Sequence, residues 1–155
     1  MQQEKTLVLL KPCTVQRSLI GEIISRFEKK GLRIVGMKMM QLDEAILKQH
    51  YAHLSEKPFF PILRDSMMVT PVVAMALEGI DAIEVVRQMA GSTNGRKAAP
   101  GTIRGDYSMS GQENIVHASD SEETAAAELK RFFKDEEIFS YDNPNLLSFY
   151  AKDEL

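Results

Sequence analysis

Asn114-Ile115-Val116-His117-Ala118-Ser119-Asp120-Ser121 decides how the rest of the chain is read. Residues 115–119 are short and mostly apolar, as a last strand would be. Residues 121–133 carry Ala125, Leu129, Phe132 and Phe133 at helical spacing. The stretch is therefore a strand running into a helix, with one of only three histidines at the junction. Period two puts Ile115, His117 and Ser119 on one side of the strand. Ser119 with Glu122, or Asp120 with Glu123, has capping-box spacing, so the helix is expected to start two or three residues past His117. Free N–H groups at a helix start favour a phosphate.

Glu128 lies about two turns into that helix, at the border of its apolar face. Helical side chains lean toward the N-terminus, so Glu128 can reach back to the His117 ring. A carboxylate on one ring nitrogen sets the tautomer and leaves the other as a nucleophile. The alternative is a core or surface histidine bonded to backbone, and the residues alone leave both open.

Upstream, residues 91–113 have no period and hold five of the nine glycines, together with Arg96, Lys97 and Arg104. A structureless loop of that length in a compact domain is functional or disordered. Before it come four expected elements on the N-terminal side: a strand over 6–11 stopped by Pro12, a helix over 18–30 closed by Gly31, a strand over 32–41, and a helix from Asp43 to about His53. In the second strand, Val35, Met37 and Met39 are expected on one face and Gly36 with Lys38 on the other. A short helix over 61–66, a doubly covered strand over 72–77 and a helix over 81–90 follow. Four strands with interspersed helices suit an α+β sandwich of split βαβ type. The whole chain, 1–155, is expected to be one domain, with about 134–155 an irregular C-terminal extension whose aromatic residues pack on the body or on a neighbouring subunit.

Composition narrows the function. A formal net charge of −3 gives no overall basic field, so neither nucleic acid nor a membrane is the expected partner. One cysteine, Cys13, excludes an intramolecular disulfide framework and a multi-cysteine zinc site. No apolar run approaches a membrane span, and the run over 7–10 is too short for a signal peptide, so a cytoplasmic location is expected. The closing Lys152-Asp153-Glu154-Leu155 reads as a retention tail, a coincidence in the absence of a signal peptide.

The remaining candidates are cations and rings. Lys11 ends the first strand, Arg87 sits in the helix before the glycine-rich loop, and Arg104 is boxed between Ile103 and Gly105. Arginine forks match phosphate oxygens, although any one of these side chains read singly is solvated charge. Neither G-x-x-x-x-G-K-[ST] nor G-x-G-x-x-G occurs, so side chains and metal, not a glycine cradle, would hold a nucleotide. Of Phe59 and Phe60, at least one is expected in the core and one could be a stacking platform for a base. His50 and His53, without further ligands, read as helix surface or core edge.

Several stretches together resemble one family over nearly the whole chain. They are residues 6–12 (Thr-Leu-Val-Leu-Leu-Lys-Pro), His50-Tyr51, Lys57-Pro58-Phe59-Phe60, residues 71–75 (Pro-Val-Val-Ala-Met), Thr93-Asn94, residues 100–106 (Pro-Gly-Thr-Ile-Arg-Gly-Asp) and residues 114–121. The family is the nucleoside diphosphate kinases. The resemblance implies a ferredoxin-like sandwich with a four-stranded antiparallel sheet. It also implies ping-pong transfer of the γ-phosphoryl group of ATP or another nucleoside triphosphate to a nucleoside diphosphate, through a phosphohistidine. His117 would be the nucleophile, with Glu128 and Ser119 positioning its ring. Lys11 and Asn114 would meet the ribose, with Lys11 also near the moving phosphoryl group. Tyr51, Arg87, Thr93 and Arg104 would hold phosphates, and Phe59 with Leu63 would line the base slot. Mg²⁺ would be held mainly by the nucleotide phosphates, with no protein ligand. A homo-oligomer is implied, hexamer or tetramer, with residues 91–113 packed and touching neighbouring subunits. The chain departs from the family pattern at Cys13-Thr14, at Gly95 where proline is usual, and at Ala118 where glycine is common. None of these is a carried-over site position. A non-catalytic binding module and a hydrolase that passes phosphate from His117 to water are the competing readings.

Overall fold

Two strands form the centre of the fold because their sequences are apolar on both faces. The computed structural model describes residues 2–155. Strand β1 (Gln3–Leu10) and strand β3 (Val72–Ile80) pair antiparallel from Gln3 opposite Ile80 to Leu10 opposite Val73. Leu7, Val8, Leu9 and Leu10 are fully buried, as are Val72, Ala74, Met75, Ala76 and Leu77. Strand β2 (Arg33–Met40) flanks β3 and strand β4 (Val116–Ala118) flanks β1, which gives the antiparallel order β2-β3-β1-β4. This is the expected α+β sandwich.

Helices cover both faces. Helix α1 (Pro12–Gln16), α2 (Ile20–Lys30), α5 (Ala82–Ala90) and α6 (Ile103–Tyr107) contribute to a core that includes Val8, Leu10, Ile23, Phe27, Met75, Val86 and Ile103. Helix α3 (Glu44–His50), α4 (Phe60–Met68) and α7 (Glu122–Phe132) close the other core, around Leu7, Leu9, Leu47, Met67, Ala74 and Phe132. Leu9 and His117 are directly opposed across β1 and β4, so His117 projects on the α3–α4–α7 side.

Several expectations change here. Helix α1 was not anticipated: Pro12 does not merely stop β1 but opens a helical turn at a first-turn position where its missing N–H costs nothing. In β2 a register shift between Ile34 and Gly36 makes Val35 an extra, bulged residue. Strict alternation fails there: Val35 and Gly36 are both buried, while Met37 and Met39 are 52% and 58% exposed. Ile115 is not on the His117 side either. Its φ of +75° turns it into the α2–α5–α6 core, where it is fully buried. Residues 91–113 are not structureless, since they contain α6. Gly105 permits that packing: a Cβ there would lie 1.9 Å from the Ala99 carbonyl oxygen. The tail is irregular but tied to the body. Phe139 N donates to Val35 O, the Tyr141 hydroxyl donates to Ile34 O, and the Tyr150 hydroxyl accepts from Ile80 N.

Candidate active site

The β1–β4 register and the start of α7 bring His117, Ser119 and Glu128 together. Ser121, not Ser119 or Asp120, caps α7 by accepting from Thr124 N. The helix thus begins later than the capping-box spacing suggested, and the Ser119 hydroxyl is released for another partner. It donates to Glu128 Oε1, and His117 Nε2 lies 2.8 Å from Glu128 Oε2. Glu128 is 4% exposed. Burial pushes its carboxyl toward protonation, but the hydrogen bond from His117, the proximity of that ring, the Ser119 hydroxyl and the nearby His50 outweigh burial and hold it below the usual range. An ionised carboxylate only accepts, so the proton of a neutral His117 ring sits on Nε2 and its Nδ1 carries a free lone pair.

The cleft in front of this pair has a volume of about 860 Å³, and all the nominated site residues except Ser119 line it: Lys11, Tyr51, Phe59, Leu63, Arg87, Thr93, Arg104, Asn114, His117 and Glu128. Ser119 is fully buried behind Glu128. The cations fall into two kinds. Arg87 is exposed and its side chain has no hydrogen bond or ion pair among the described residues. Arg104 is half-buried and donates to Asn114 O at 3.1 Å, Gly91 O at 2.9 Å and Val116 O at 2.7 Å. It therefore ties the end of α5 to β4, with two of its five N–H groups left for a ligand. Burial, then the nearby Arg87 charge, lowers its pKa to about 10.

Lys11 follows β1 and is 9% exposed. Its Nζ donates to Asn114 Oδ1 at 2.6 Å and Gln112 O at 3.1 Å. Burial and then Arg104 lower its pKa to about 8, opposed by Cys13 and Glu113. Asn114, 2% exposed, spends both amide N–H groups on Thr93 O and Gly111 O. It braces the lysine and the loop, and only the second lone pair on its oxygen is left for a ligand. The Ile115 carbonyl accepts from Lys11 N at 2.9 Å and Thr14 Oγ1 at 2.6 Å. Thr14, one of the departures, thus fastens the strained Ile115 to α1. A β-branched residue at positive φ costs about 1–3 kcal/mol and persists only where its surroundings hold it.

Phe59 and Phe60 divide as expected: Phe60 is 3% exposed and Phe59 48%, at the start of α4 beside the buried Leu63. Burial and then Glu128 push the Tyr51 hydroxyl up to about 12, so it is a hydrogen-bond donor at any working pH.

Two residues of the cleft wall escaped sequence reasoning. His50 is 7% exposed, not a surface or edge residue, and its ring centroid is 4.6 Å from that of His117. Arg131 of α7 places Nη1 2.9 Å from His50 Nδ1. Their only signals were the position of His50 next to Tyr51 and of Arg131 one turn beyond Glu128. His50, His117 and Glu128 offer three donor atoms within 4.8 Å, a spacing that suits a metal ion. The facing atoms are already engaged with Arg131 and with each other, and Arg131 adds positive charge. The cluster is thus built as a hydrogen-bonded set. For a metal that arrives with a nucleotide, Asp120 and Glu123 are cleft carboxylates without an ion pair among the described residues.

Comparison with known proteins assigns the chain to a family. The family model for nucleoside diphosphate kinase matches residues 4–138. A nucleoside diphosphate kinase of Parabacteroides distasonis is 72% identical over 151 residues, covering 97% of this chain and 99% of the relative. One from Pyrococcus horikoshii is 56% identical, covering 90% and 91%. The solved structure of a halophilic nucleoside diphosphate kinase from Halobacterium salinarum, in complex with CDP, superposes with a TM-score of 0.93 at 43% identity, covering 97% of this chain and all of the other. With a matching family model over most of its length and relatives this similar, the chain belongs to the nucleoside diphosphate kinase family.

Proposed function

We propose that the chain moves the γ-phosphoryl group of ATP or another nucleoside triphosphate to a nucleoside diphosphate in two half-reactions through His117. The observation that carries this reading is the His117 Nε2–Glu128 Oε2 contact at 2.8 Å, which leaves Nδ1 without a hydrogen bond in a cation-lined cleft. In the first half-reaction the Nδ1 lone pair forms a bond to Pγ, and the bond from Pγ to the β,γ-bridging oxygen breaks. Nucleoside diphosphate departs with that electron pair. Glu128 stabilises the positive charge that develops on the ring, and Ser119 holds Glu128 in place. In the second half-reaction a terminal phosphate oxygen of another diphosphate takes the phosphoryl group and returns the lone pair to Nδ1. Such transfers require in-line positioning and charge neutralisation above all.

Lys11, Arg87 and Arg104 supply that neutralisation, and the Tyr51 and Thr93 hydroxyls donate to phosphate oxygens. The Lys11 ammonium and the Asn114 carbonyl oxygen meet the ribose. Phe59 stacks on the base, with Leu63 behind it. Stacking without base-edge hydrogen bonds accepts any base. Mg²⁺ held mainly by the nucleotide phosphates would supply further charge neutralisation. The cation-rich wall of Lys11, Arg87 and Arg104 fits a metal brought by its substrate better than a resident one. Bound CDP in the Halobacterium salinarum relative supports a nucleotide in this cleft. We also infer a cytoplasmic homo-oligomer, hexamer or tetramer. The exposed Met37 and Met39 on edge strand β2 favour assembly. No helix among the described residues is long and apolar enough to cross a membrane.

The test is a label chase. Incubation with γ-labelled ATP and Mg²⁺ should give an acid-labile, alkali-stable label on the protein, which added nucleoside diphosphate removes. Product analysis should find the label on the ring nitrogen that Glu128 does not hold. A label that survives His117→Ala, or release to water alone, sinks the reading.

A further inference from the structure

We propose that His50 and Arg131 are positioning residues for the transfer histidine: Arg131, acting through the His50 ring, holds His117 and Glu128 in the arrangement that leaves Nδ1 facing the cleft. The inference rests on the reading of His117 as the nucleophile.

The geometry joins two helices behind the His117 ring. Arg131 lies three residues beyond Glu128 on α7, so both project to the same side. Its Nη1 is 2.9 Å from Nδ1 of His50, the last residue of α3. His50 Nδ1 also approaches Glu128 Oε2 to 3.5 Å without a hydrogen bond between them, while Glu128 Oε2 lies 2.8 Å from His117 Nε2. A guanidinium has only donors, so His50 Nδ1 must accept from it, and the single ring proton sits on Nε2. A protonated His50 would oppose an N–H to an N–H. It would also draw Glu128 away from His117. Burial, then the neighbouring His117, Arg131 and Lys11, outweigh the opposing pull of Glu128 and lower the His50 pKa to about 3, so the ring stays neutral. The 3.5 Å approach of His50 to Glu128 is therefore not an ion pair.

The ring is also a wedge. It meets His117, Tyr51 and Phe132 edge-to-face, at centroid distances of 4.6, 4.7 and 5.1 Å and interplanar angles of 81°, 72° and 81°. The Tyr51 and Phe132 contacts fix the His50 ring, whose edge-to-face contact limits rotation of the His117 ring, which a carboxylate on one nitrogen alone does not. The arrangement is poor for stability. His50 Nε2 and Arg131 Nε are two of the three buried side-chain polar atoms without a hydrogen-bond partner among the described residues. Local rules broken at one spot, beside the reacting group, mark a functional constraint.

Three variants test this positioning. His50→Phe keeps the ring contacts but removes the acceptor, and Arg131→Met removes the donor. His50→Asn places an amide oxygen near the position of Nδ1. His50→Phe and Arg131→Met should each lower kcat about tenfold to a hundredfold, the scale of a small misplacement of reacting groups. KM should stay within about threefold, because the nucleotide contacts are untouched. The double variant should be no slower than the slower single one, and His50→Asn should recover most of the loss. Folded variants with lowered melting temperature and wild-type kcat would reduce the pair to packing and overturn the proposal. Should His50→Phe fail to fold, ¹⁵N NMR of the wild type decides. The expected signal is a neutral His50 with its proton on Nε2 near pH 6, lost as a fixed tautomer in Arg131→Met; a protonated ring or an Nδ1–H tautomer overturns the proposal. Wild-type protein that takes no label on His117 sinks the phosphohistidine reading together with this one. Full-rate labelling of both wild type and His50→Phe sinks this one alone.

Discussion

The two faces of the sheet are made from the same strands but to different ends. Toward α2, α5 and α6, the core of Val8, Leu10, Phe27, Met75 and Val86 is apolar throughout. Toward α3, α4 and α7, the core of Leu7, Leu9, Leu47 and Phe132 adjoins a polar set of buried His50, Ser119 and Glu128 and half-buried His117. The first face can be understood as area removed from water. The second carries a buried carboxylate, a neutral histidine and two unpartnered donors, all of which oppose folding unless offset. Stability and chemistry are thus placed on opposite sides of β1, separated by the alternation of a single strand.

That separation can be broken experimentally. Phe27→Ala on the apolar face should cost about 3–5 kcal/mol in chemical denaturation, the usual penalty for truncating a fully buried aromatic ring. The kcat of the remaining folded protein should be unaltered, and a changed kcat would mean the faces are coupled. Glu128→Gln should do the reverse. It keeps the shape but removes the charge behind His117, so kcat should fall by about 10²- to 10⁴-fold. Stability should hold or rise as a buried charge disappears, and unfolding measured beside turnover reads both.

A smaller effect sharpens the contrast by pH. The His50 pKa is about 3 in the folded chain against the ordinary 6.5. Below 6.5 the unfolded chain takes up a proton that the folded chain refuses. Stability should therefore fall as pH drops from about 6.5 toward 3, by on the order of 1 kcal/mol per unit. Glu128 adds to the loss at the acid end, because its lowered folded pKa gives stability that vanishes as pH falls through it. Denaturation curves at pH 7 and pH 4.5 for wild type and His50→Phe should show a flatter dependence in the variant. Smallest of all is Thr6→Val. Thr6 is fully buried in phase with Val8, and its Oγ1 has no partner among the described residues. Valine should leave stability equal or raise it by up to about 1 kcal/mol, because a buried hydroxyl without a partner is a net cost. A loss would mean that the hydroxyl is bonded in solution.

Legibility in the sequence followed the range of the forces involved. The apolar runs of β1 and β3, the stripe Ile23–Phe27, the Gly31 stop and the Asp43 cap are local patterns, and the structure has them where the patterns lie. The reach of Glu128 back to His117 was legible because both residues sit near one strand–helix junction. The bulge at Val35 was not, because it depends on how β2 is registered against β3. Nor was the cap at Ser121, since three acceptors compete within three residues and the ladder to Leu9 decides among them.

By itself, the sequence determined the number of strands, the apolar periods that make the sandwich, and the residue types able to accept and hold a phosphoryl group. It also carried the motifs that mark the family. Only the tertiary structure decided which of those residues meet. It turned Arg104 and Asn114 into braces of the cleft wall, released Ser119 from capping to hold Glu128, and carried His50 and Arg131 to the back of His117. The reason is physical: a period of two or 3.6 assigns a residue to a face, whereas a hydrogen bond between residues 81 positions apart exists only once two helices have docked on one sheet.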